Sequence, residues 1–144
     1  MVSAGVARMS EFAAKIAEAV ERGRVNAEAL MTDSLSLVRP TGEFVRDEEG
    51  NTVPEMVPVW SGPGKVQSQQ SYPSQPEVGG GTITLAVFEV HIPVNAVVSP
   101  RVDDVFVVDA SRDQALTGSR FRVRVDPSKT WRTARRYNVE EVVA

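Results

Sequence analysis

A mainly β fold is predicted, a small β-barrel or sandwich carrying an N-terminal α-helix and a long polar loop, and three observations predict it. Apolar residues recur three and four apart only in the first twenty or so positions. From Leu30 onward short alternating segments are separated by turn residues every eight to twelve positions. Between them lies one stretch rich in Gly, Pro, Ser and Gln with almost nothing to bury. At 144 residues, 42% hydrophobic and 24% charged, the chain is sized and composed for one packed domain. We divide it into a helical segment, 1–28, and a β domain, 29–144, that carries the loop at 61–81.

Val6, Met9, Phe12, Ala13, Ile16, Ala17 and Val20 form one stripe, which predicts a helix from about Val6 to Glu21 that stops near Gly23. Ser34 to Val38 alternates as a half-buried strand, and Pro40, which lacks an amide donor, is expected to end it. Phe44–Arg46 and Thr52–Val53 flank Asp47-Glu48-Glu49-Gly50-Asn51, a hairpin turn. Met56 to Trp60 is extended, and a short strand is expected at Lys65-Val66-Gln67 inside the polar stretch. Thr82 to Pro93 is the longest strand candidate; it is apolar on both faces over part of its length, as in a strand buried from both sides. Further strands are expected at Val105–Val108, Arg120–Val125 and Trp131–Val142.

Several chemistries lack their residues. Cysteine is absent, so disulfides, thiolate metal sites and thiol nucleophiles are excluded. His91 is the single histidine, without a Gly-x-Ser-x-Gly elbow near it, and is read as structural or solvent-facing. The acidic run at Asp47, Glu48 and Glu49 lacks the alternating carboxylates of a calcium loop. Asp103-Asp104 is read as turn chemistry, and Gly79-Gly80-Gly81 precedes a strand rather than the helix a phosphate loop requires. We therefore expect no catalytic residues, no metal and no cofactor, hence no enzyme. No stretch of roughly 18 uninterrupted apolar residues suggests a membrane span, and Glu11, Lys15 and Glu18 interrupt any signal-peptide core, so a cytoplasmic site of synthesis is expected.

The net charge of −3 is unevenly spread: residues 1–94 hold seven Lys/Arg against twelve Asp/Glu, whereas residues 95–144 hold nine against seven. Such a split suits contacts between neighbouring subunits. Arg120, Arg122 and Arg124 alternate with Phe121, Val123 and Val125, which puts three guanidinium groups on one sheet face. That row is compatible with nucleic-acid phosphate, with the carboxylates of an adjacent subunit, or with plain solvation. Arg132, Arg135 and Arg136 add basic density around Trp131 and Tyr137, interleaved with Glu140, Glu141, Asp126 and Asp109.

With these features in place, the chain resembles a family of small actinobacteriophage proteins of the head-to-tail connector, or stopper, type, carried as a conserved domain of unknown function. The resemblance runs from about Asp33 to Val143. It is carried in order by Val38-Arg39-Pro40-Thr41-Gly42-Glu43, by Val59-Trp60-Ser61-Gly62-Pro63-Gly64-Lys65-Val66-Gln67, by Val87-Phe88-Glu89-Val90-His91-Ile92-Pro93-Val94, by Leu116-Thr117-Gly118-Ser119-Arg120-Phe121-Arg122-Val123, and by Lys129-Thr130-Trp131-Arg132-Thr133-Ala134-Arg135-Arg136.

The resemblance implies a small β-barrel that joins a closed ring of its own copies, a hexamer or dodecamer, in the neck of the virion. The portal or its adaptor would lie above, a tail-completion or terminator protein below, and packaged double-stranded DNA would be held in the channel without sequence specificity. The Ser61 to Gly81 segment is the natural channel loop, with Lys65, Gln69, Gln70 and Tyr72 along it and Gly62, Gly64, Gly79, Gly80 and Gly81 as hinges. Its charges, Lys65 and Glu77, nearly cancel, so it would obstruct DNA sterically. Arg120, Arg122, Arg124, Arg135 and Arg136 are the candidate subunit interface. Alternatives are a tail-completion or tail-terminator protein, or a single-stranded nucleic-acid-binding barrel that uses the arginine strand and Trp131.

Overall fold

The structure, a computed structural model, describes residues 4–69, 87–125 and 132–142. One helix, α1 (Ala4–Ala29), precedes β1 (Asp33–Arg46), β2 (Thr52–Gln69), β3 (Val87–Ile92), β4 (Val105–Ala110), β5 (Arg120–Val125) and β6 (Arg135–Glu141). All pairings are antiparallel, in the order β1-β2-β3-β6-β5-β4, and β4 pairs back onto β1 to close a barrel. Closure leaves no bare edge along the barrel portion of β1, which is bonded on one side to β2 and on the other to β4 through Ser34–Val38.

The period-two patterning dictates the interior. Leu35 and Leu37, Val90 and Ile92, Phe106 and Val108, Phe121 and Val123, and Tyr137 and Val139 point inward from five strands and make one buried cluster. Trp60 and Val66 of β2 pack against it. Within it the Phe106 and Tyr137 rings are tilted with centroids 6.0 Å apart, and the ring of Phe88 meets that of Phe121 at 5.1 Å. Both geometries suit the aromatic quadrupole.

Several elements run further than the sequence predicts, and each has a local cause. The helix does not stop near Gly23 but continues to Ala29. Gly23 instead permits a close approach, because a Cβ there would lie 2.6 Å from the Thr133 methyl group. Nor does Pro40 end β1, which continues to Arg46. Pairing of β1 with β4 stops at Val38, so Pro40, opposite Met56, has a neighbour only in β2 and its missing donor is tolerated. The hairpin turn forms as expected: the amide of Asp47 donates to the Asn51 carbonyl at 2.9 Å, Asp47 Oδ1 accepts from the amides of Glu49 and Asn51, and Gly50 takes φ +84°.

Of the loop assigned to 61–81, Ser61 to Gln69 belong to β2, and residues 70–81 lie outside those described. At 18 residues β2, not the Thr82–Pro93 segment, is the longest strand; β3 starts at Val87, and residues 82–86 lie outside those described. The expected strand from Trp131 begins at Arg135, with Trp131 itself outside the described residues. Gly62 and Gly64 are consequently strand residues rather than hinges. They face the interior, opposite Leu35 and Asp33 respectively. A Cβ on Gly62 would lie 2.6 Å from the Trp60 ring, and one on Gly64 would lie 2.4 Å from Leu35 Cδ1 and 2.8 Å from the His91 carbonyl oxygen. Glycine is needed at both places for lack of room.

Gly64→Ala is therefore expected to lower stability by about 1–3 kcal/mol through overpacking. Chemical denaturation checks this, and an unchanged midpoint would return Gly64 to the status of a hinge.

Candidate functional site

Beyond the barrel, β1 and β2 continue as a two-stranded arm, residues 39–57, in which β1 pairs with β2 alone. The arm is exposed almost throughout. Phe44 is 67% accessible, and Val45 and Val57 are also exposed. At its base a groove of about 680 Å³ runs between the arm and the β4–β5 end of the barrel, lined by Pro40, Phe44, Met56, Val105, Arg120 and Arg122 among others. A bulge between Pro40 and Phe44, with Gly42 at φ +90°, sets the arm's course.

One clamp fixes the root of the arm. Asp104 is 1% accessible; its carboxylate accepts from Arg39 Nε at 3.0 Å and from a terminal guanidinium nitrogen at 2.9 Å, and it also accepts the Arg101 amide at 2.8 Å. Arg39 donates in addition to the Ser99 carbonyl at 3.1 Å. The Asp104 hydrogen bond holds the Arg39 guanidinium above its ordinary value. Asp103, at φ +76°, makes the turn that delivers Asp104. Turn chemistry at Asp103-Asp104 was legible in the sequence; the pairing with Arg39, 65 positions away, was not.

The five candidate interface arginines separate. Arg122 and Arg124 both reach Glu140 on β6, at 3.3 and 3.4 Å, in pairs that stay open to solvent. Screening makes such contacts weak, and they leave both cations available to a partner. Arg120 and Arg136 are exposed, and Arg120 lines the groove. Arg135 is not a surface residue of this kind. It lies on the inward-facing parity of β6, donates to the carbonyls of Ala96 at 3.2 Å and Val98 at 2.7 Å, and sits 5.7 Å from the Tyr137 ring centroid, so it braces the β3–β4 connection. Of the channel-loop residues, Lys65 and Gln69 are in β2, while Gln70, Tyr72, Gly79, Gly80 and Gly81 lie outside the described residues.

His91 is buried, with Nε2 2.5 Å from Glu89 Oε1 and with Lys65 and Arg136 as its cross-strand neighbours. Desolvation pushes its pKa below the usual imidazole value, outweighing the opposing pull of Glu89. Among the described residues no three His, Asp or Glu side chains converge as a metal site would require, and no helix is long and apolar enough to cross a membrane.

The barrel is closed, and the arm with the groove at its base is what projects beyond it. The chain belongs to DUF6093, a family of unknown function, whose match covers residues 23–140 and thus the arm and all but the last residue of the barrel strands, leaving most of α1 outside it. Neither the curated proteins nor the solved structures contain a match to the chain.

Two outcomes follow. Asp104→Ala should cost about 3 kcal/mol, the lower end for breaking a buried pair, because Arg39 keeps a quarter of its side chain in solvent; thermal or denaturant unfolding measures it. Because His91 has a lowered pKa in the folded state, the unfolded chain takes up the extra proton as pH falls. Its contribution is thus complete above about 6.5 and is lost as the pH drops from there through the folded value. Denaturant midpoints of wild type and His91→Gln between about pH 5 and 8 should diverge in that direction, and parallel curves would refute it.

Proposed function

We propose that the protein is a structural subunit of a phage head-to-tail connector, a stopper or head-closure ring that joins the portal or its adaptor to the tail and retains packaged DNA. The observation that carries this is the arm. Two strands that outrun the barrel by many residues and expose Phe44, Val45 and Val57 beside an unfilled groove are costly for a free monomer and useful to a subunit that grips its neighbour. The ordered resemblance over Asp33 to Val143 supplies the particular assembly.

A closed ring is built from heterologous contacts, in which one patch of each subunit meets a different patch of the next. The arm and the Arg120 and Arg122 wall of the groove provide two such patches, with the arm's Glu43, Asp47 and Glu55 offering carboxylates to a neighbour's arginines. The alternative of a single-stranded nucleic-acid-binding barrel would use the face of Arg120, Arg122 and Arg124, where Glu140 stands among the cations.

Electron cryomicroscopy of intact virions, with the protein identified by mass spectrometry of the particles, tests the reading. Density for the barrel in a ring directly below the portal or adaptor is expected, and Phe44→Asp should yield heads that lose their DNA. Absence of the protein from virions would overturn it; density one ring lower would replace it with tail completion.

A further inference from the structure

The arm has two edges, and the sequence treats them differently. Residues 39–46 of β1 pair with β2 alone, and β2 reaches β3 only from Lys65 onward, so both flanks of the hairpin are without a neighbouring strand. The bond from the Asp47 amide to the Asn51 carbonyl fixes which backbone groups face outward, because antiparallel pairs alternate between bonded and non-bonded. Asp47 and Val45 spend their amides on β2. Phe44 and Arg46 lie at the non-bonded pairs, opposite Pro54 and Thr52, and direct their N–H and C=O groups away from it. By the same alternation Thr52, Pro54, Met56 and Pro58 face the outer edge of β2.

Proline decides between the edges. Pro54 and Pro58 remove every second outward donor from the β2 flank, a device by which edge strands are kept from pairing. On the β1 flank Pro40 sits where pairing with β4 stops, and beyond it Phe44 and Arg46 keep both donor and acceptor. Those outward groups have no hydrogen bond among the described residues. The groove reaches this flank, since Pro40, Gly42 and Phe44 of β1 line it together with Asp103 and Val105 at the start of β4. Such an edge is completed by an extended backbone, whose alternate side chains then enter the groove.

We propose that the β1 edge of the arm, Gly42 to Arg46, is a β-augmentation site for an extended segment of a different protein, with apolar residues at alternate positions and one carboxylate near Arg120. Arg120 is exposed, lines the groove and has no ion pair among the described residues, so an acidic group there meets a cation that nothing else claims. Phe44 and Met56 supply the apolar lining. Glu43, Asp47 and Asp103 also line the groove, so further acidic residues would be repelled. A second copy of this chain does not fit the edge: two arms meeting antiparallel about Val45 would set Glu43 of each against Asp47 of the other. Arg122 and Arg124, which share Glu140, remain for contact between copies, so the inference goes beyond the ring reading and does not rest on it.

Hydrogen exchange of the full chain reads the edge amide by amide. In the free protein the Phe44 and Arg46 amides are expected to exchange fast, and those of Val45 and Asp47 slowly. The probe is an array of short peptides in which Val, Ile or Phe alternates with Thr and a single Glu takes each Thr position in turn. At least one member is expected to bind and to slow exchange at Phe44 and Arg46, and its affinity should fall about tenfold when the amides that face the edge are N-methylated. Arg46→Pro removes an outward donor but no bond to β2, and should weaken binding by a similar factor with Val45 and Asp47 still protected. Thr52→Pro makes the same change on the opposite flank of the same pair and should leave binding unchanged. Arg120→Gln should erase the preference for one Glu position. An array without a binder, or Arg46→Pro and Thr52→Pro proteins that bind alike, would overturn the proposal. Phe44 and Arg46 amides already protected in the free protein would assign the edge to this chain itself, and protection that grows with protein concentration would assign it to a second copy; either result overturns it too.

Discussion

Closure of the sheet between β1 and β4 is the constraint on which the rest of the molecule depends. Five residues of β1, Ser34 to Val38, make that seam, and side chains reinforce it along its length. The Ser111 hydroxyl donates to Asp33 at 2.7 Å, Ser36 bonds Asp109, and Arg39 grips Asp104. Opening the seam would strip Leu35 and Leu37 of their covering strand and expose two long edges to pairing with other chains. Burial of ten side chains inside the barrel and removal of its edges are one event, and the polar bridges define the register in which it happens.

The same seam is short, and that shortness creates the arm and the groove at its base. β1 has 14 residues and β2 has 18, but only the first part of β1 finds a place in the barrel. What remains must either fold back or project. The Arg39 to Asp104 clamp sits where the two parts meet, so the buried carboxylate that finishes the barrel also holds the arm at its root. Hydrophobic groups that the barrel has no room for, Phe44, Val45 and Val57 on the arm and Met9 and Phe12 on the helix, are displayed rather than buried.

Much of this was legible before any coordinates, because it depends on local chemistry. The alternation Arg120 to Val125 delivers Phe121 and Val123 to the core and the arginines outward, as a period of two requires. The Asp47 to Asn51 turn follows from an aspartate that caps its own backbone and a glycine that accepts positive φ. Local pattern misleads where one residue type serves two purposes. Gly23, Pro40, Gly62 and Gly64 read as breakers or hinges, yet each is there because another group comes close or because a neighbouring strand is missing on one side. Arg135 and Arg136 are adjacent in sequence but opposite in facing, and only the placement of the β3–β4 connection shows that Arg135 spends its donors on Ala96 and Val98.

By itself, then, the sequence determined the class of the fold, the hairpin, the parity of each short strand and the lack of thiol chemistry, because periodicity and turn residues act over a few positions. Tertiary structure alone decided that the sheet closes, that β1 and β2 outrun it to form an arm, and that Asp104 neutralises Arg39. Those outcomes rest on contacts between residues 60 to 80 positions apart, and no local pattern carries information about which distant side chain will fill a given space.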